Sequence, residues 1–171
     1  MNHIKTSTTI ALALLLITSS ASVALAQSDK GKAMSEQHRS KVAETVKALT
    51  DLAGKDQNIG EDVRVVAQEQ ESSNERATKA MEAVEARGGF KTFLIGTDYK
   101  NIGALRSEVV TTQNSINRLT KAKERATDDS VKADLDAQIK VLEETNTSAL
   151  NFIKTNESKF SIFGWLVKLF Q

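Results

Sequence analysis

The sequence has no cysteine and no proline in 171 residues. Without cysteine, disulfide bonds, thiolate metal sites and a lipobox are excluded, so a lipid-anchored lipoprotein is not expected. Without proline, and without apolar runs that alternate with period two, long uninterrupted helices are the favoured structure. The fold class that we predict is therefore all-α.

An excess of charge of one sign is also missing, because 23 basic residues stand against 22 acidic ones. A general nucleic-acid-binding protein carries a strong basic excess, so we expect no nucleic-acid partner. Aromatic residues are few, with one Trp, one Tyr and six Phe. Three of the six Phe and the Trp lie in the last residues of the chain, from Lys159 to Gln171.

Residues 1–26 have the layout of a cleaved secretory signal. Lys5 precedes an apolar run from Ile10 to Ile17, and small residues then lead to the sequence Ala24-Leu25-Ala26. This apolar run is too short to span a membrane. We therefore expect export to the periplasm or cell envelope, with a mature chain that begins at Gln27. An uncleaved signal anchor is the alternative.

Four helices are predicted, with amphipathic spacing of the apolar residues. They run from about Asp29 to Ala53, from Glu61 to Arg87, from Asp98 to Ala126, and from Asp128 or Asp129 to Ser158. Asn58 and Glu61 have the spacing of a capping box at the start of the second helix. The short sequence TDDS between the last two helices predicts an antiparallel hairpin.

The apolar faces differ in regularity. The third helix has a continuous coiled-coil register, made by Ile102, Leu105, Val109, Thr112, Ile116, Leu119, Lys123 and Ala126. The second helix carries Val63, Val66, Gln70, Ser73, Ala77, Ala80 and Val84, and the fourth carries Leu135, Ile139, Leu142, Asn146, Ala149 and Ile153. We expect Gln70 and Ser73 to face water in a loosely packed region, and Asn146 to set the register of its helix.

These patterns predict antiparallel helical hairpins that form a four-helix bundle or an extended coiled coil, with a short apolar C-terminal helix. The expected divisions are the signal at 1–26, an N-terminal hairpin at 27–89, a C-terminal hairpin at 90–158 and an apolar tail at 159–171. Gly88 and Gly89 form the predicted hinge. The sequence leaves open whether the two hairpins pack together, and whether the coiled-coil seams join copies of the chain in a homo-oligomer.

Two apolar segments, FKTFLIG at 90–96 and KFSIFGWLVKLFQ at 159–171, are predicted to meet at one end of an up-down bundle. The residues expected to contact a membrane or a partner are Phe90, Phe93, Leu94, Ile95, Phe160, Phe163, Trp165, Leu166, Leu169 and Phe170. Three readings of the tail remain open. It caps the bundle as core, lies as a helix in a lipid interface, or docks a partner or a second copy of the chain.

The stretch FLIGTDYKNIGALRSE, followed by a charged hairpin and KFSIFGWLVKLF, resembles small exported helical proteins of candidate-phylum bacteria. The resemblance covers about half of the chain, from Phe90 to Phe170. It implies export and a helical, coiled-coil fold. No activity is known for that family, so the resemblance implies no catalytic or binding residue.

Residues that support catalysis or metal binding are scarce. His38 is the one histidine after the signal, and the Glu-x-x-His pairs of di-iron bundles are missing. Haem ligation by His38 and Met81 is a further candidate, but polar Gln37 and Arg39 flank His38 and favour a solvated surface histidine. We expect no enzyme, cofactor or metal, and predict an envelope structural or interaction protein. A periplasmic helical bundle that binds a small molecule or cofactor is the alternative.

Overall fold

The computed structural model describes residues 31–88, residue 92 and residues 96–157. Four helices account for most of them: α1 comprises 31–52, α2 Gly60–Ala86, α3 Tyr99–Arg125 and α4 Asp129–Glu157. The helices pack against each other, and these residues include no strand. The all-α prediction is confirmed. The predicted signal at 1–26 and tail at 159–171 lie outside the described residues.

Aspartates begin α3 and α4. Asp98 precedes α3 and accepts a hydrogen bond from the backbone N–H of Asn101 at 3.3 Å. Asp128 precedes α4 and accepts from the backbone N–H groups of Ser130 at 2.7 Å and Val131 at 3.4 Å. These contacts satisfy donors that the first turn of a helix otherwise leaves unpaired. The prediction that aspartate opens the last helix is confirmed.

The capping box predicted for the start of α2 is wrong. Ile59 occupies the N-cap position and makes no side-chain capping hydrogen bond. The Asn58 side chain instead donates to the carbonyl oxygen of Arg125 at 3.0 Å, and Glu61 pairs with Arg64 at 2.8 Å. Asn58 therefore connects the start of α2 to the end of α3, a contact between residues far apart in the chain.

Polar contacts show which turns of neighbouring helices lie side by side. Between α2 and α3 the pairs are Asp62 with Arg125, Gln70 with Ser115, and Ser73 with Glu108. Between α3 and α4 they are Lys123 with Asp136 and Arg106 with Glu157. Lys41 of α1 pairs with Glu144 of α4, and Lys55, in the loop after α1, pairs with Asp134 of α4. Residue numbers rise along one helix of each pair as they fall along the other.

The buried apolar residues form two clusters. The first, named here the Leu49 core, contains Leu49, Leu52, Ala53, Ile59, Val63, Val66, Ala67, Ile116, Leu119, Ala122, Ala126, Val131, Leu135, Ile139 and Leu142. The second, the Phe152 core, contains Ala77, Ala80, Met81, Val84, Ile102, Leu105, Ala149, Phe152 and Ile153, with Met34 and Val109 packed against it. Because the Leu49 core draws on all four helices, the two pairs of helices pack together.

Every residue named for the apolar seams of α2 and α4 is buried, including Gln70 and Ser73, which were expected to face water. The coiled-coil register of α3 is only partly right. Val109 and Lys123 are half-buried, while Glu108, Ser115 and Ala122 are buried. Helix α3 contacts both α2 and α4, so its buried arc is wider than a two-helix seam.

Asp56 joins the two loops at one end of the bundle. Its carboxylate accepts hydrogen bonds from the N–H of Asn58 at 2.9 Å, and from the N–H and hydroxyl of Thr127 at 3.0 and 3.2 Å. These bonds, above all the one from the Thr127 backbone, hold the pKa of Asp56 below its ordinary value. The loop before α2 is thereby attached to the α3–α4 connection.

At Gly60, the start of α2 approaches the backbone of Ala53 closely. A matched pair of glycine substitutions tests this packing. A Cβ atom on Gly60 would lie 2.4 Å from the Ala53 carbonyl oxygen, whereas one on Gly103 in α3 would meet nothing within 4 Å. We expect Gly60→Ala to destabilise the fold by about 1–3 kcal/mol through overpacking. Gly103→Ala should stabilise it by about 0.5–1 kcal/mol. Urea unfolding measures both, and changes of equal sign would contradict this packing.

Candidate functional site

The residues predicted to contact a membrane or partner all lie outside the described part of the chain. They are Phe90, Phe93, Leu94, Ile95, Phe160, Phe163, Trp165, Leu166, Leu169 and Phe170. The residues that flank both segments are described, and they meet at one end of the bundle. Thr97 Oγ1 donates a hydrogen bond to the carbonyl oxygen of Asn156 at 3.1 Å, and Arg87 lies 3.8 Å from the Asp98 carboxylate.

The Phe152 core lies beside this end. Phe152 and Ile153 come from the end of α4, Val84 from the end of α2, and Ile102 from the start of α3. Within the described ranges, no helix has the length and apolar character needed to cross a membrane. The described residues that flank the two apolar segments therefore lie next to the Phe152 core.

A layer of buried polar residues separates the two cores. It comprises Gln70 and Ser73 from α2 and Glu108, Thr112 and Ser115 from α3. Gln70 Nε2 donates to Ser115 Oγ at 3.0 Å, and Ser73 Oγ donates to Glu108 Oε2 at 2.8 Å. The expectation that Gln70 and Ser73 face water is wrong, because partners on α3 satisfy their polar atoms inside the bundle.

Glu108 is the charged member of this layer. Arg76 Nε donates to Glu108 Oε1 at 2.7 Å, and a second guanidinium nitrogen donates to Oε2 at 2.9 Å. The hydrogen bonds that Arg76 donates to the Glu108 carboxylate raise the pKa of Arg76 above its already high value. Sequence reasoning missed Glu108. Its burial could be predicted from its spacing, three residues after Leu105 and four before Thr112, because residues at these spacings lie on one face of a helix.

Two small cavities adjoin His38. One, of about 10 Å³, opens into the polar layer beside Gln70, Ser73 and Glu108. The other, of about 50 Å³, lies between α1, α2 and α4, and its lining is Met34, Gln37, His38, Lys41, Met81, Thr145 and Ser148. His38 is the one residue common to both linings.

The expectation that His38 is a solvated surface residue is wrong. His38 is half-buried, and its Nδ1 atom is buried with no hydrogen-bond partner among the described residues. This burial lowers the pKa of His38 from 6.5 to about 4. Its neighbours Gln37 and Arg39 are exposed, but His38 lies four residues before the buried Val42 and shares its face.

The idea that His38 and Met81 hold a haem fails on space. The two residues do line the same cavity, but about 50 Å³ is far below the volume of at least about 300 Å³ typical of cofactor pockets. Over the residues that the structure places, no group of three or more His, Cys, Asp or Glu side chains is arranged to hold a metal ion. The larger cavity accommodates an ion or a water molecule.

Comparison with known proteins found no match: no family model, no curated protein and no solved structure is significantly similar to this chain.

Proposed function

We propose that this chain is a non-enzymatic interaction protein of the cell envelope, which contacts a membrane surface or a partner protein through one apolar end. The observation that carries the proposal is the contact of Thr97 with Asn156, supported by the approach of Arg87 to Asp98. These residues flank the segments 90–95 and 159–171, so both apolar segments start from the same end of the bundle.

The architecture behind this proposal is a pair of antiparallel hairpins followed by a short apolar helix. The opposite numerical order of the contacts along α2 and α3, and along α3 and α4, supports the hairpins. The spacing of the small and polar tail residues supports the short apolar helix. On a helix, Ser161, Gly164, Lys168 and Gln171 would fall on one narrow stripe, and the other positions would be apolar.

The contrast between the two ends of the molecule supports a directional role. The Asp56 end is built from hydrogen-bonded polar side chains, including Asn58 and Thr127. The other end carries the apolar segments, with Trp165 and Lys168 as residues suited to a lipid interface. The signal-like sequence of residues 1–26 supports a location outside the cytoplasm. In this proposal the polar end projects away from the membrane or partner protein.

A ligand-binding role is the second candidate, and the cavities beside His38 favour it. Cavities of these volumes hold a ligand no larger than an ion. A small-molecule or haem carrier of the usual kind needs a pocket several times larger.

Vesicle flotation tests the first candidate. The chain from Gln27 to Gln171 is mixed with vesicles of neutral and anionic lipids and compared with the chain that ends at Ser158. We expect the longer chain to float with the vesicles and the shorter one to remain in solution. We also expect both to unfold at nearly the same temperature, because a tail embedded in lipid contributes little to the core.

A matched pair of substitutions separates a specific contact from general apolar adhesion. Phe163→Asp with Trp165→Asp should abolish flotation, whereas Val110→Asp, at a position 59% exposed on α3, should leave it unchanged. If neither chain floats but the longer one elutes as an oligomer, the apolar end contacts protein. If neither floats nor associates and truncation lowers the melting temperature by many degrees, the tail is core and the proposal fails.

A further inference from the structure

The larger cavity beside His38 brings together residues that are rare in this sequence. Met34 and His38 from α1 and Met81 from α2 all line it. The chain has three methionines and two histidines in total, and the remaining ones are Met1 and His3. Every methionine and histidine after the first three residues therefore adjoins one cavity of about 50 Å³.

Three other polar side chains around this cavity, those of Lys41, Thr145 and Ser148, already have partners. Thr145 Oγ1 donates to the Val141 carbonyl oxygen at 2.6 Å, and Ser148 Oγ donates to that of Glu144 at 3.0 Å. The Lys41 ammonium lies 3.5 Å from the Glu144 carboxylate, which compensates its charge. His38 Nδ1, in contrast, has no hydrogen-bond partner in the described part of the chain.

We propose that Met34, His38 and Met81 form a binding site for Cu(I). Thioether sulfur is a soft donor that selects Cu(I), and imidazole nitrogen also suits copper. The lining contains neither the carboxylates that Mg²⁺ and Ca²⁺ prefer nor the thiolates of structural zinc sites. The proposed ligands supply two neutral sulfur atoms and one neutral nitrogen atom.

Packing holds these residues near each other before any metal binds. Met34 and His38 are four residues apart in α1 and so share one helix face. Met81 is 1% exposed in α2, and Met34 packs against the same Phe152 core to which Met81 belongs. Methionine also serves as a flexible filler of apolar cores, so the alternative is a cavity that holds only water.

The site lies inside the described helices and uses neither apolar segment. The inference is therefore independent of the function proposed above.

Anaerobic titration of the chain with Cu(I), in competition with a chromogenic Cu(I) chelator, tests the proposal. We expect one equivalent to bind at this site, with sulfur and nitrogen neighbours in the X-ray absorption spectrum of the copper. Met81→Leu keeps the buried volume nearly constant and should leave the fold intact. It should weaken Cu(I) binding by at least about 10-fold, the lower limit for loss of even a residue that only supports a ligand. His38→Gln should do the same.

Ser148→Ala is the matched control, because Ser148 lines the cavity without being a proposed ligand. Its Cu(I) affinity should equal that of the unchanged chain. The titration uses the chain from Gln27 to Gln171, which lacks Met1 and His3, so a loss on Met81→Leu reports this cavity and not the N-terminus. A chain that binds no Cu(I), or whose affinity is unchanged by Met81→Leu in a variant that still melts cooperatively, overturns the proposal and leaves the cavity to water.

Discussion

Phe152→Ala is expected to lower the free energy of unfolding by about 3–5 kcal/mol, the range for removing a buried aromatic side chain. Phe152 is 1% exposed and is the one phenylalanine among the described residues. Its ring packs in the Phe152 core with residues of α2 and α3, so the substitution leaves a cavity that three helices share. Urea unfolding, followed by circular dichroism, measures the change.

Leu150→Ala provides the control on the same helix. Leu150 lies two residues earlier in α4 and is 39% exposed, so its loss should change stability by no more than about 0.5 kcal/mol. Both variants should keep the denaturant slope of the unchanged chain, because the surface exposed on unfolding is almost the same. A cost below about 1 kcal/mol for Phe152→Ala would mean that the end of α4 does not pack as described.

Helix α4 shows what apolar spacing alone predicts well. Its seam residues, such as Leu135, Leu142 and Ile153, are all buried as expected. In α3 the same method chose Val109 and Lys123, because a heptad register describes contact with one partner helix. The bundle surrounds α3 on two sides, so neighbouring positions such as Ala122 are buried instead. Spacing identifies the helix, but the number of its neighbours sets the width of its buried face.

Buried polar residues were the least predictable part of the candidate site. Glu108 is buried because Arg76 and Ser73 on α2 bind its carboxylate, and these partners lie more than thirty residues away in the sequence. The charge of Glu108 favoured an exposed position until those partners were known. His38 differs from expectation for a related reason: its flanking residues are polar and exposed, but its helical spacing from Met34 and Val42 puts it on their partly buried face.

The burial of His38 has a consequence for acid stability. Its pKa is about 4 in the folded chain, against 6.5 for an unperturbed histidine. Between these two values the unfolded state binds a proton that the folded state does not, so stability must fall as the pH falls from about 6.5 towards 4. The difference between these two pKa values corresponds to about 3 kcal/mol of unfolding free energy. Most of this free energy is lost by the time the pH reaches the lower pKa.

The three carboxylates with a lowered pKa produce little loss above pH 4. Asp56, Asp98 and Asp129 all have pKa values below 3.8 in the folded state, so their stabilising contributions disappear only at lower pH. The charged residues that line the two cavities beside His38 are Lys41 and Glu108, and each is held in an ion pair. The difference in slope between the unchanged chain and His38→Gln therefore reports the desolvated imidazole.

Urea unfolding of the metal-free chain at a series of pH values measures this slope. We expect the unchanged chain to lose about 3 kcal/mol between pH 7 and 4, and His38→Gln to lose far less, because glutamine takes up no proton. Ser148→Ala, which changes the lining of the cavity beside His38 without removing a titrating group, is the matched control and should keep the full slope. Equal slopes for His38→Gln and the unchanged chain would mean that the imidazole is solvated in the folded protein. If the slope disappears only in His38→Gln, the acid sensitivity of the bundle comes from the His38 imidazole, which lines both cavities.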